Sequence, residues 1–217
     1  MNDLSYLKVE GAQKGRNKAV TGRCAFCRHI GTLLQLGDDL EVRQHFFAGL
    51  RCCPNPSCRA LMSVRWSIYD DLEISPPPLI PFETQGIPDS VLRFFREAVV
   101  CHSVKCYSAA AIMIRRTLEQ ICSDRGATGS NLFKRIEDLG SKIILPQELR
   151  EALHELRLLG NDAAHIEAET YTKISEEEIL VAVEFTKEIL KATYQYSELL
   201  TRMRGLKKDA KPNAPTA

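Results

Sequence analysis

Cys24-Ala25-Phe26-Cys27 is answered, after 25 intervening residues, by Cys53-Pro54-Asn55-Pro56-Ser57-Cys58. Thiolates carried in pairs on two short turns can meet at one point, as a tetrahedral four-cysteine zinc site requires. Cys24, Cys27, Cys53 and Cys58 are therefore the expected metal ligands, although the second pair encloses four residues where two are usual. Cys52 competes with Cys53. Pro54 directly after Cys53, as in many knuckle turns, favours Cys53 and leaves Cys52 as a spare thiol or a small buried residue. A closed thiolate set offers water no coordination position, so this zinc is expected to be structural, not catalytic. The second concentration of chemistry is the stretch from His154 to His165. On a helix Arg157, Asn161 and His165 share one face, while Leu156, Leu159 and Ala163 sit on or near the other. A guanidinium, an amide and an imidazole together can bind a phosphate, and the same three groups can equally form a network that holds a bundle together.

These residues need elements to carry them. Between the cysteine pairs, Ile30 to Leu36 and Leu40 to Phe47 read as strands, with a turn expected at Gly37-Asp38-Asp39. A third strand, Leu61 to Tyr69, alternates Met62, Val64, Trp66 and Ile68 against Ser63, Arg65 and Ser67. Residues 23–73 thus read as a small β zinc ribbon, folded by its metal because so short a segment buries little surface alone. Residues 1–22 are polar and aperiodic, the expectation for a disordered arm. The run Ile74-Ser75-Pro76-Pro77-Pro78-Leu79-Ile80-Pro81 opens a stiff proline-rich linker over 74–87.

From Pro88 the period becomes helical. Val91, Phe94, Phe95, Ala98 and Val99 make one apolar stripe, and Tyr107 to Asp124 a second helix that stops at Gly126. Arg115 and Glu119 on it are i,i+4 neighbours and can pair locally, or point toward the Arg157 face. Ser130 to Leu139 reads as a third helix, and Pro146 as the first residue of a fourth that passes through the focal stretch. Gly160 weakens that helix, which suggests a bend or a close contact. Ser175-Glu176-Glu177-Glu178 is a capping box for a last helix reaching about Arg204. A helical bundle over 88–204 and a disordered tail over 205–217 complete the reading, and the fold class expected is mainly α with a small β ribbon in front.

The formal charge of +1 excludes a global field that recruits polyanions. Local asymmetry remains: residues 1–67 carry ten Lys or Arg against five Asp or Glu, whereas residues 88–217 carry 19 of each. A surface facing RNA or DNA is thus expected on the ribbon. The first twenty residues lack the apolar core of a signal peptide and no run is long enough to span a bilayer. A cytoplasmic protein with no membrane partner is expected, its eight cysteines thiols or metal ligands.

The cysteine-pair ribbon, the run from Tyr107 to Glu119 (YSAAAIMIRRTLE) and the run from Leu156 to His165 (LRLLGNDAAH) together resemble a bacterial family of unknown function, domain of unknown function 4145, across residues 24 to about 195. That family is similar to the HEPN superfamily of helical bundles, many of which are RNases or partners of nucleotidyltransferases in defence systems. HEPN nucleases place an Arg, commonly followed by a small polar residue, ahead of a His. Here Asn161 and His165 match, the Arg position falls on Gly160, and Arg157 lies one turn earlier.

The resemblance implies a nucleic-acid-associated binding and assembly module of bacterial defence or stress response, zinc-stabilised and non-catalytic. The alternative is a metal-independent endoribonuclease in which His165 is general acid or base, Arg157 stabilises the pentacovalent phosphate and Asn161 orients the substrate. A further alternative is a structural adaptor between proteins. A homodimer is expected, because a last helix of about thirty residues is longer than a compact bundle needs, and a protein partner in a defence system is a further expectation.

Overall fold

Alternating apolar residues in the first third of the chain and 3.6-residue stripes in the rest give two kinds of structure, resolved in a computed structural model that describes residues 9–69, 71–164 and 174–208. The contacts separate two units, Met1–Pro81 and Phe82–Ala217. His165, the first eight residues of the expected arm and residues 209–217 of the expected tail lie outside the described residues.

The first unit is a five-stranded antiparallel sheet and a two-stranded ribbon. The sheet is ordered β1 (Gln13–Lys14), β4 (Leu34–Arg43), β5 (Phe46–Cys52), β6 (Leu61–Ser67) and β7 (Leu72–Ser75); the ribbon pairs β2 (Thr21–Arg23) with β3 (Ile30–Thr32). This overturns the mainly α fold class: a five-stranded sheet followed by helices makes the chain a combination of α and β. The edge strands explain the difference. Gln13–Lys14 lies in the segment read as an arm and Leu72–Ser75 at the start of the linker, and both are too short to show a period of their own; their partners β4 and β6 impose the extended form. The hairpin turn also moves. It falls at residues 44–45, and Gly37-Asp38-Asp39 is instead an irregularity inside β4, where the register shifts between Leu36 and Leu40.

One face of the sheet carries Phe47, Met62, Val64 and Trp66, which bury with Val20, Cys24, Leu33 and Cys53. Phe47 and Trp66 are cross-strand partners with rings stacked 4.0 Å apart. Beside them Asp39 and Arg51, both fully buried, form a bidentate pair at 2.6 and 2.7 Å. The Trp66 indole and the Lys18 backbone N–H donate to the same carboxylate, and Arg51 donates to the Lys18 carbonyl. The pair therefore pins the segment leading to the first cysteine knuckle onto the sheet. Gly49 is required next to it, since a Cβ there would overlap the Asp39 carboxylate.

The second unit contains α1 (Asp89–Ser103), α2 (Tyr107–Asp124), α3 (Leu132–Lys142), α4 (Gln147–Asp162), α5 (Glu176–Leu190) and α6 (Tyr196–Lys208). Pro88 and Pro146 precede their helices rather than open them; Asn131 caps α3 by accepting from the Lys134 N–H at 3.0 Å. The Ser175 capping box forms, with the Ser175 N–H donating to Glu178 at 2.9 Å. The core is a layer of Val91, Phe95, Ala98, Ile114, Leu118, Ile121, Leu153, Ile179 and Val183. Lys191–Gln195 is a single π-helical turn between α5 and α6, and it frees the Thr193 carbonyl to accept from Arg125 at 2.6 Å. Gly205 to Lys208, expected as tail, continue α6. No helix among the described residues is long and apolar enough to cross a membrane.

Candidate metal centre

The first knuckle connects β2 to β3, and the second connects β5 to β6. Each is closed by a backbone bond from its leading cysteine: Cys24 N–H to the His29 carbonyl at 2.8 Å, and Cys53 N–H to the Ala60 carbonyl at 2.9 Å. The two residues by which the second pair exceeds the first are taken up between these ends, where the Asn55 side chain accepts from the Ser57 N–H at 3.0 Å. Both knuckles thus end in the same closed form despite unequal length.

They bring four sulfurs together. Cys24, Cys27, Cys53 and Cys58 present Sγ atoms that all lie within 4.8 Å of one another, with Cys24–Cys58 at 3.9 Å and Cys27–Cys53 at 3.5 Å. A tetrahedral ion with metal–sulfur bonds of about 2.3 Å needs sulfurs about 3.8 Å apart, a value the two measured separations bracket. Cys52 is not part of the set: its thiol is buried and donates to the Cys53 and Arg59 carbonyls. The backbone N–H of Phe26 and the side-chain amide of Asn55 donate to Cys24 and Cys27 sulfurs at 3.4 and 3.7 Å, the support that anionic thiolates call for.

Cys27 and Cys53 are shifted in opposite directions. The backbone N–H of His29 lowers exposed Cys27 to about 7, whereas burial pushes Cys53 up to about 12. Both ends of that range fit one chemical event. A bound cation would supply the charge that holds Cys53 as thiolate, while Cys27 would need little help to ionise.

Of the other predicted group, two members lie among the described residues. Arg157 and Asn161 lie on α4, one turn apart and half-buried, and α4 ends at Asp162, three residues before His165. The Arg157 guanidinium sits 5.6 Å from the Phe133 ring, and its buried Nε has no hydrogen-bond partner. Arg115 pairs with Glu119 at 3.5 Å and also donates to the Arg157 carbonyl at 3.2 Å, so the local and the cross-helix expectations both hold for it. Gly160 marks a close contact: a Cβ there would overlap Arg115 and stand 3.0 Å from the Ala111 carbonyl of α2.

The family described as domain of unknown function DUF4145 matches residues 96–208, from within α1 to the end of α6. The chain belongs to the DUF4145 family. No curated protein and no solved structure matches it. The cysteine cluster lies outside the matched DUF4145 residues, whereas Arg157 and Asn161 lie within them. Sequence reasoning missed two features near the metal centre. Arg28 and Arg59 both adopt positive φ, +64° and +51°, and the signal was legible as the repeated Cys27-Arg28 and Cys58-Arg59 dipeptides. The Asp39–Arg51 pair gave no comparable signal, since neither residue stands out in a strand pattern.

Proposed function

We propose that this DUF4145 chain is a non-catalytic, nucleic-acid-associated module of bacterial defence or stress response, in which a zinc-stabilised ribbon contacts nucleic acid and the helical unit mediates assembly. Zinc is the ion that suits a closed set of four thiolates without redox change. The observation that carries the reading is the charge around the knuckles. No Asp or Glu occurs between Gly11 and Gly37 or between Val42 and Tyr69, while Arg23, Arg28 and Arg59 flank the cysteines. None of the three is in an ion pair among the described residues. Their charge exceeds the formal −2 of a four-thiolate zinc centre, so the knuckle end presents a net positive surface. Phe26 beside them is 61% exposed. Free guanidinium forks next to an exposed ring match phosphates and bases better than they match a protein groove. The assignment to defence or stress response rests on the resemblance of the helical unit to HEPN bundles.

Fluorescence polarisation of labelled RNA and DNA oligonucleotides tests the reading. Binding is expected with a linear dependence of log Kd on log salt, and the RNA is expected to stay uncut. No binding at about 50 mM salt overturns it. For assembly, α6 exposes Tyr196, Leu199, Leu200, Met203 and Leu206, and the occupant that fits is a second copy of the chain. Light scattering of the L199E/M203E double variant is expected to show monomer where wild type shows dimer.

A further inference from the structure

We infer that Arg28 and Arg59 form a two-pronged clamp on the phosphates of a single nucleic-acid strand, with Phe26 as the surface on which a base stacks. This rests on the nucleic-acid reading above and assigns its ligand class and contact residues.

The argument begins with backbone conformation. Arg28 and Arg59 each directly follow the second cysteine of a knuckle, and their N–H groups close equivalent turns onto Cys24 and Asn55 carbonyls at 3.0 and 3.1 Å. At that position the chain is left-handed, with φ of +64° and +51°. Glycine adopts this conformation freely, whereas an L side chain brings Cβ against the following carbonyl. Neither knuckle uses glycine. Two turns of different length carry the same unfavourable residue at the same structural position, and it is an arginine both times.

Nothing among the described residues accounts for the choice. Both side chains are exposed, and neither has an ion pair or an aromatic ring among the described residues. Local strain retained without an internal partner points to an external one. The sulfurs of Cys27 and Cys58, one residue before each arginine, lie within 4.8 Å of each other. Each arginine thus directly follows a cysteine of the same four-sulfur cluster, which puts both forks on one end of the unit, where they can take phosphates of one strand.

Phe26 decides between single strand and duplex. It lies at the tip of the first knuckle, two residues before Arg28, and is 61% exposed. An aromatic face gains most from an unstacked base, and every base offers one, so such contacts are tolerant of sequence. In a duplex those faces are already covered, and the ring would contribute nothing.

The test uses the full zinc-loaded chain and twelve-nucleotide single strands of RNA and DNA, with the matching duplexes as a second arm. Wild type is expected to favour the single strand, and the RNA and DNA arms report whether the 2′-hydroxyl matters. R28G/R59G is expected to weaken single-strand binding by about tenfold or more and to flatten the salt slope by about 1.4, at roughly 0.7 per lost phosphate contact. Its zinc content should be unchanged and its Tm equal or higher, because glycine relieves the left-handed strain. F26A is expected to lower single-strand affinity roughly tenfold while leaving duplex affinity alone. Wild type that binds no nucleic acid overturns the proposed function itself. Full binding by a zinc-loaded R28G/R59G protein overturns only the clamp. Loss of zinc or a lower Tm in that variant marks the arginines as structural and overturns the clamp too, and equal affinity for duplex and single strand removes the stacking role.

Discussion

At the heart of the sheet unit lie an ion pair, Asp39–Arg51, and a set of four thiols; at the heart of the helical unit lie Phe95, Ile114, Leu118, Ile121, Leu153 and Ile179. The contrast follows from size. A unit of about eighty residues, one face of whose sheet leaves Leu34, Leu36, Leu50 and Leu61 exposed, has too little apolar surface to bury and relies on directional bonds. The helices interlock around a continuous apolar layer, with bonds such as Arg125 to the Thr193 carbonyl at its edges. Charged and metal-binding groups are all-or-nothing supports, whereas apolar layers lose stability in increments.

Removing one ligand tests the contrast most severely. Cys53→Ser is expected to abolish zinc binding, and with it most of a contribution that in zinc-finger peptides reaches about 10 kcal/mol. Metal analysis and circular dichroism should show the strand signal lost and the helical signal kept, while Cys52→Ser keeps the metal. Asp39→Ala strands the Arg51 guanidinium in the sheet core and is expected to cost about 3–5 kcal/mol in chemical denaturation. Burial alone would raise the Asp39 carboxyl, but the bonds from Arg51, the Lys18 N–H and Trp66 outweigh it and hold its pKa below the ordinary value. With a depressed folded pKa, that stability is complete above the unfolded pKa, about 4, and is lost as pH falls through the folded one. The stability gap between wild type and Asp39→Ala should therefore be full above pH about 4 and narrow as the pH falls below it.

In the helical unit Leu118→Ala is expected to cost about 2–5 kcal/mol without removing cooperativity, as a cavity does. Gly160→Ala should destabilise by about 1–3 kcal/mol despite the gain in helix propensity, because the new methyl meets Arg115. A neutral or stabilising result would show that α2 and α4 can part at no cost. Ser175→Ala, which removes half of the capping box, is the mildest change, about 1 kcal/mol by thermal melting.

What could be read from residue patterns follows the same division. Met62, Val64 and Trp66 alternate and bury as expected, and the stripes of α1, α2 and α4 face inward because their periods are long enough to be seen. The cysteine spacing identified the four sulfurs that meet, and Pro54 the choice against Cys52. Gln13–Lys14 and Leu72–Ser75 could not be read, since a strand of two or four residues takes its form from its neighbour. Gly37-Asp38-Asp39 carries turn residues, yet Asp39 is drawn inward by Arg51 twelve residues away, a pairing that no local pattern encodes. Arg157 and Asn161 sit one turn apart on α4 as expected, and His165 lies outside the described residues.

The π-helical turn at Lys191–Gln195 resets the phase of the longest helical run. Five residues there occupy roughly the rotation that four occupy in an α-helix, so a one-residue slip, about 100° of azimuth, separates the faces upstream and downstream. Ile179, Val183 and Thr186 are buried in the helical unit, while Leu199, Met203 and Leu206, beyond the slip, are exposed. Deleting a single residue from the turn would therefore restore a plain α-helix and leave Leu199, Met203 and Leu206 pointing where they do now, because the turn has already absorbed the extra residue.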